Sequence, residues 1–231
     1  MIKYLQLPYH FDVKKMQEEV NLLGNQLWKL HFQVKHYEGE WSAIPLRSIN
    51  GEINNNFISP IEDAKQYADT PLLKECPYLQ EVLNTFKCDL MAVRLLKLSA
   101  GTQIHEHKDA DLCFEEGLLR FHIPVITHAA VEFFLDKERM VLQEGECWYM
   151  NFNLPHSLHN KSNVDRIHLV IDAVANDWVS NLFNAPEIAH KKEIAGGKNV
   201  YDDATKKEII FQLRAMGTEV SNKLADEMEA S

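Results

Sequence analysis

The stretch Leu118–Ile126, LLRFHIPVI, decides the fold. Leu119, Phe121, Ile123 and Val125 fall on one side of it, and Arg120, His122 and Pro124 on the other. A period of two marks a strand with one apolar face, whereas a helix would scatter these residues around its axis. The alternation returns in RIHLVID, Arg166–Asp172, where Ile167, Leu169 and Ile171 oppose Arg166, His168 and Val170. Further out, Leu90–Leu98, Val131–Leu135, Arg139–Leu142 and Glu146–Asn151 are also rich in β-branched and aromatic residues. Short turns such as Ser99-Ala100-Gly101 and Gln143-Glu144-Gly145 separate them. Many short strands without intervening helices predict a mainly β fold with flanking helices, a sandwich or jelly roll.

The remaining segments read as those flanks. After Asp12, a natural helix cap, Val13, Met16, Val20, Leu23 and Leu27 recur at steps of three and four and predict an amphipathic helix. Runs around Leu30 to Val34 and Trp41 to Arg47 suit strands, Asn50 to Pro60 a loop, and Pro77 to Phe86 a second short helix. Asn176–Phe183 reads as helical, after which Pro186 and Gly196-Gly197 break the chain. Asp202-Asp203 can then cap a last helix carrying Ile209, Leu213, Met216, Val220 and Leu224. That stripe needs cover from the domain or from a second copy of the chain, a homodimer through this helix. The expected organisation is one jelly-roll domain over residues 1–183, with 1–89 buttressing a motif-bearing core of 90–183. A C-terminal helical extension then covers 184–231.

Composition narrows the classes of function. An apolar fraction of 45% and a charged fraction of 25% over 231 residues suit an ordinary globular domain with a full core. A net charge of -10 leaves no basic face for phosphates, so neither nucleic acid nor an anionic membrane surface is an expected partner. The N-terminal MIKYLQLPYHFDVKKMQEEV lacks a signal-peptide core, and no apolar run approaches the roughly eighteen residues of a membrane span. Cys76, Cys88, Cys113 and Cys147 show no CxxC spacing, so reduced thiols in a cytoplasmic protein are expected.

Seven of the eleven histidines lie between positions 105 and 168, inside the strand-rich block, and burying several imidazoles requires several partners. His107 and Asp109 are two apart, so on an extended segment both leave the same face. His156 follows Pro155 at a strand end, and Arg166 stands ten positions further on. Two histidines and a carboxylate in this order can hold one iron(II) and leave the opposite face open for O₂ and a second ligand. The competing reading is a surface His-Lys-Asp turn with an unrelated histidine; zinc hydrolases also use such a ligand set. An inward-facing Arg166 or Arg120 needs an anion, either an internal carboxylate or a ligand. A small dianion such as 2-oxoglutarate, with one end on the metal and the other on Arg166, suits these positions.

Gly101-Thr102-Gln103-Ile104 leading to His107-Lys108-Asp109, then RFHIP (Arg120–Pro124), LPHSLHN (Leu154–Asn160) and RIHLVID, resemble the aspartyl/asparaginyl β-hydroxylase family. That family belongs to the iron(II)- and 2-oxoglutarate-dependent dioxygenases, and the resemblance covers roughly residues 90 to 183. It implies a double-stranded β-helix, the cupin-like jelly roll. It implies His107, Asp109 and His156 as metal ligands and Arg166 on the distal carboxylate of 2-oxoglutarate, with Arg120 and His122 near the metal-bound end. Asp109 is the acid that relatives acting on free proline keep and some that modify peptidyl aspartate lack. Where some members place a hydroxyl-bearing residue against the distal carboxylate, this chain has Leu96, which leaves that contact to Arg94 or another residue. The expected activity is hydroxylation of an unactivated C–H bond in a free amino acid or similar small molecule. A peptide or protein side chain is the alternative substrate, and a non-catalytic cupin-like metal-binding or sensing module the alternative class. Trp148, Tyr149 and Asn151 are candidate pocket residues, although aromatic residues in a strand are more often core.

Overall fold

The fold comes from a computed structural model that describes residues 1–30, 36–54, 66–109, 111–186, 188, 191–194 and isolated positions between 207 and 229. Two compact bodies divide the chain, Ile2–Ile194 and Ala195–Ser231 with Met1. The first carries β1 (Ile2–His10), α1 (Val13–Leu23), β2 (Lys29–Leu30), β3 (Tyr37–Glu38), β4 (Trp41–Ile49) and β5 (Tyr67–Asp69). Next come α2 (Pro71–Lys74), α3 (Pro77–Leu83), β6 (Leu90–Leu98), β7 (Gln103–His107) and β8 (Leu118–Ile126). β9 (Val131–Leu135), β10 (Glu138–Met140), β11 (Glu146–Met150), β12 (His156–Asn160), β13 (Arg166–Val174), α4 (Asp177–Phe183) and β14 (Lys191–Glu193) complete it.

Among the described residues these strands form two sheets. The larger runs β14-β1-β11-β8-β13-β6-β4-β2 with β5 beside β4, and the smaller runs β10-β9-β12-β7-β3. All pairings are antiparallel, and most join strands distant in sequence, as β13 does with β8 and β6. Two stacked sheets wound in this way are a double-stranded β-helix, the mainly β jelly roll that the alternation predicts.

The period of two decides what each face of the larger sheet meets. Leu119, Phe121, Ile123 and Val125 of β8 and Ile167, Leu169 and Ile171 of β13 join one core, together with Ile44, Leu46, Val93, Leu95 and Tyr149. The helices close that core with Met16, Val20, Leu79, Val82, Val179 and Phe183. The opposite face meets the smaller sheet through a second core of Trp41, Leu96, Leu98, Trp148, Met150 and Val170 against Ile104, Phe133, Leu135 and Leu158. The polar residues of β8 and β13 are thereby enclosed between the sheets.

Several boundaries differ from the sequence reading for local reasons. α1 stops at Leu23 because Gly24 adopts φ 73°, and Leu27 lies in a separate 3-10 turn. The hairpin strand expected over Arg139–Leu142 is Glu138–Met140, entered through Asp136 and Lys137 at φ 48° and 64°. β14 pairs with β1, so residues beyond Phe183 add a strand to the larger sheet. Of the Leu30–Val34 run only Lys29–Leu30 is seen, since 31–35 lie outside the described residues, as do 55–60 of the Asn50–Pro60 loop. The stripe Ile209, Leu213, Met216, Val220 and Leu224 also lies outside them. No helix among the described residues is long and apolar enough to cross a membrane.

Glu19 shows how the helical layer is fastened. The N-cap residue of α3, Cys76, makes no side-chain cap bond. Instead the buried Glu19 carboxylate of α1 accepts from the backbone N–H of Tyr78 at 2.7 Å and of Leu79 at 2.9 Å. These are two of the donors a helix start leaves free, and a carboxylate satisfies them well. Glu19→Ala should lower the unfolding free energy by about 1–2 kcal/mol, and Glu19→Gln by less because it keeps one acceptor oxygen. A urea titration measures this, and an Ala variant with the parent midpoint would remove the capping role.

Candidate metal centre

Strand register brings the candidate ligands together. His107 closes β7, His156 opens β12, and the two are paired across the smaller sheet. Sequence reading places His156 at a strand end, and it is the first residue of its strand. Asp109 lies just past β7, held by its N–H bond to the Phe152 carbonyl at 2.9 Å. One ligand atom from each of His107, Asp109 and His156 lies within 4.8 Å of the others, a span that fits one metal ion. The imidazole centroids are 4.2 Å apart, and His107 Nε2 stands 3.8 Å from Asp109 Oδ1.

Backbone carbonyls set the tautomer of both histidines. His107 Nδ1 lies 2.7 Å from the His105 carbonyl, and His156 Nδ1 lies 3.1 Å from that of Leu154. A carbonyl can only accept, so each Nδ1 carries the proton and each Nε2 keeps a lone pair for a metal. Burial pushes His156 down to about 4 despite the opposing pull of Asp109. Burial by itself would raise the Asp109 carboxyl, but Arg120, His156 and His107 hold it below the usual carboxylate range. The donor set is therefore two imidazoles that present Nε2 and one carboxylate, which fits a divalent metal with open positions.

The cleft beside these ligands has an apolar wall of Trp41, Leu96, Ile104, Phe133, Phe152 and Leu158, and it reaches Arg120, His122 and Arg166. Arg166 and Arg120 are both buried, but their surroundings differ. Arg120 donates through Nε and Nη2 to Asp172 at 2.6 and 3.1 Å and through Nη1 to Asp109 at 2.6 Å. Arg166 pairs with no carboxylate among the described residues. Its Nη2 donates to His168 Nδ1 at 2.9 Å and its Nε has no partner. Burial pushes it down to about 9, which still leaves it charged at neutral pH. A buried cation without a counter-charge is costly unless a ligand supplies one. His122, 3.3 Å from His168 through its Nδ1, likewise has a buried Nε2 with no partner. Both imidazoles are held neutral by burial beside Arg166. These orphaned atoms fit an anionic ligand reaching from the candidate metal ligands towards Arg166.

Arg94 does not join that end of the cleft. Its Nη1 pairs with Asp172 at 3.0 Å. Trp148, Tyr149 and Asn151 are also turned to other tasks. Tyr149 sits in the helix-side core and accepts from the Phe114 N–H at 2.9 Å, Trp148 donates to Glu146 at 2.8 Å, and Asn151 is tied to β1. Of the aromatic residues in the cleft, Phe152 meets the histidines, its ring 5.0 Å from that of His122 and 4.8 Å from that of His156. His36 adds a ring 5.2 Å from His107. Phe152 had no sequence signal beyond standing just before LPHSLHN, His36 had none, and Asp172 had only its place in the β13 alternation.

A family model described as Aspartyl/Asparaginyl beta-hydroxylase matches residues 11–176. The L-proline cis-4-hydroxylase of Rhizobium meliloti (strain 1021) is 29% identical over 136 residues, covering 58% of this chain and 48% of that protein. The chain thus spans about half the length of that curated relative. Among solved structures, the non-heme alpha ketoglutarate dependent epimerase SnoN from nogalamycin biosynthesis has a TM-score of 0.45 at 12% identity, over 87% of this chain and 92% of that one. The viral collagen prolyl hydroxylase of Paramecium Bursaria Chlorella virus-1 has a TM-score of 0.42 at 14% identity, over 74% and 97%. These structural likenesses are loose.

The buried histidines make stability depend on pH. His122, His156 and His168 are all held below 6.5, so as pH falls past that value the unfolded chain takes up protons that the folded chain refuses. Stability is full above about 6.5 and drains as pH falls, on the order of 3 kcal/mol for His156 alone by the time its folded value near 4 is reached. Asp109 and Asp172, held below 3.8, extend the loss at lower pH. The metal-free melting temperature should therefore stay level above about pH 6.5 and fall steadily from there to pH 5 in calorimetry. A flat profile over that range would show that these imidazoles accept protons in the folded state.

Proposed function

The chain belongs to the aspartyl/asparaginyl beta-hydroxylase family, and from that membership we propose that it is an iron(II)- and 2-oxoglutarate-dependent dioxygenase hydroxylating a free amino acid or a similar small molecule. The observation that carries this reading is Arg166, a buried cation without a carboxylate partner among the described residues, in one cleft with the His107–Asp109–His156 cluster. His107 and His156 would hold the metal through Nε2 and Asp109 through one carboxylate oxygen. When bound, iron with 2-oxoglutarate and O₂ supplies the oxidising power to hydroxylate an unactivated C–H bond, with succinate and CO₂ as co-products.

The protein's part is to bind, orient and exclude water. Arg166 would receive the distal carboxylate of 2-oxoglutarate on its guanidinium, relieving its missing counter-charge. His122 lines the same cleft, and its buried Nε2 has no partner among the described residues. Phe133, Phe152, Leu96 and Leu158 keep the space between dry, which strengthens each of these contacts. The relative named as an L-proline cis-4-hydroxylase supports a free amino acid over a peptide.

His107→Ala and His156→Ala should abolish turnover, because each removes a metal ligand. Arg166→Ala should raise the 2-oxoglutarate KM roughly tenfold to a hundredfold, the worth of a charge-assisted clamp. Succinate formation under air measures all three, and the same assay separates an enzyme from a sensing module. The reading fails if the three variants convert 2-oxoglutarate at the parent rate. A screen of amino acids and peptides, read by the product mass for one added oxygen, identifies the substrate.

A further inference from the structure

Four buried or half-buried charges stand in a row between the sheets: Arg94, Asp172, Arg120 and Asp109. Arg120 and Asp172 are direct partners across β8 and β13, and Arg94 lies diagonally across from Asp172 on β6. Asp172 receives Arg120 Nε at 2.6 Å and Nη2 at 3.1 Å, and Arg94 Nη1 at 3.0 Å. The remaining arm of Arg120, Nη1, donates to Asp109 Oδ2 at 2.6 Å. The other oxygen, Oδ1, is the one turned towards His107, with Nε2 at 3.8 Å.

We infer that Asp172 and Arg120 act as positioning residues for the metal, dividing the work of the two oxygens of Asp109. Asp172 grips Arg120 on two nitrogens, which fixes the direction of its third. That third nitrogen occupies Oδ2 and leaves Oδ1 as the single oxygen offered to the metal. The planar guanidinium makes such a division possible, because its donors point in fixed directions. The balance of charge supports the same role: two guanidinium groups face two carboxylates, so the metal meets a carboxylate whose free oxygen is already neutralised. Without Asp172, Arg120 is free to turn and take both oxygens of Asp109, in direct competition with the metal. Outer partners of this kind tune a site through its ligands without touching the metal.

This inference rests on the metal reading of His107, Asp109 and His156. Its test is an anaerobic titration of the full-length parent, Asp172→Asn and Arg120→Lys with Co(II), read by visible absorption, with the metal-free melting temperature of each recorded. Both substitutions should weaken Co(II) binding, roughly tenfold to a hundredfold, and alter the absorption envelope, since the carboxylate binds in a different mode. Arg120→Lys keeps the charge but cannot reach both carboxylates in fixed directions, so it decides the matter even if Asp172→Asn does not fold. Variants that melt lower but bind Co(II) with the parent affinity and spectrum overturn the inference, leaving the row a purely structural one. A parent that takes up no Co(II) overturns the metal reading itself.

Discussion

Arg120 and Asp172 face each other on neighbouring strands in the larger sheet, and neither tolerates its position without the other. Both are buried, Arg120 at 7% exposure and Asp172 at 3%, where an uncompensated charge would cost several kcal/mol. Their pairing sets the register of β8 against β13, because a slip of one residue would carry each charge into the helix-side core. It also connects the sheet to the candidate ligand Asp109, which follows β7 of the smaller sheet. A single guanidinium therefore links the larger sheet to a candidate metal ligand just past β7.

Around this link the molecule separates its labour by face. The helix side of the larger sheet is close-packed and apolar, with Phe121 in ring contact with Phe86 at 4.9 Å. The inner side carries arginines, histidines and acids, each of which has a partner or points into the cleft. Arg120 and Arg166 look equivalent as letters, since each begins an Arg-x-His on a strand. Their counter-charges distinguish them. One is saturated by two carboxylates, and the other is left with a neutral imidazole for company. The unsatisfied one is where an anionic ligand fits.

Much of the site is legible in the residues alone. The motif HKD, the distant His156 and the following Arg166 mark the candidate metal ligands that the fold gathers, and the strand alternation places Arg120, His122, Arg166 and His168 on inner faces. The reading fails where a partner is remote and the residue type common. Glu19 looks like any solvated acid on an amphipathic helix, and only the approach of α3 makes it a cap. Asp172 ends an apolar run and gives no sign of the arginine 52 residues earlier that it holds. Phe152 belongs to no motif, and its ring reaches the cleft because the chain turns between β11 and β12.

The sequence by itself determined the strand faces, the fold class that follows from them, and the candidate metal ligands. Each of these depends on spacing along the chain, and a period of two survives without knowledge of what the strand packs against. The tertiary structure decided which arginine lacks a carboxylate partner among the described residues, which oxygen of Asp109 faces His107, and which aromatic ring meets the cleft histidines. Those outcomes depend on pairings between distant strands, where a shift of a few ångströms changes which charge meets which. No local pattern in the chain records them.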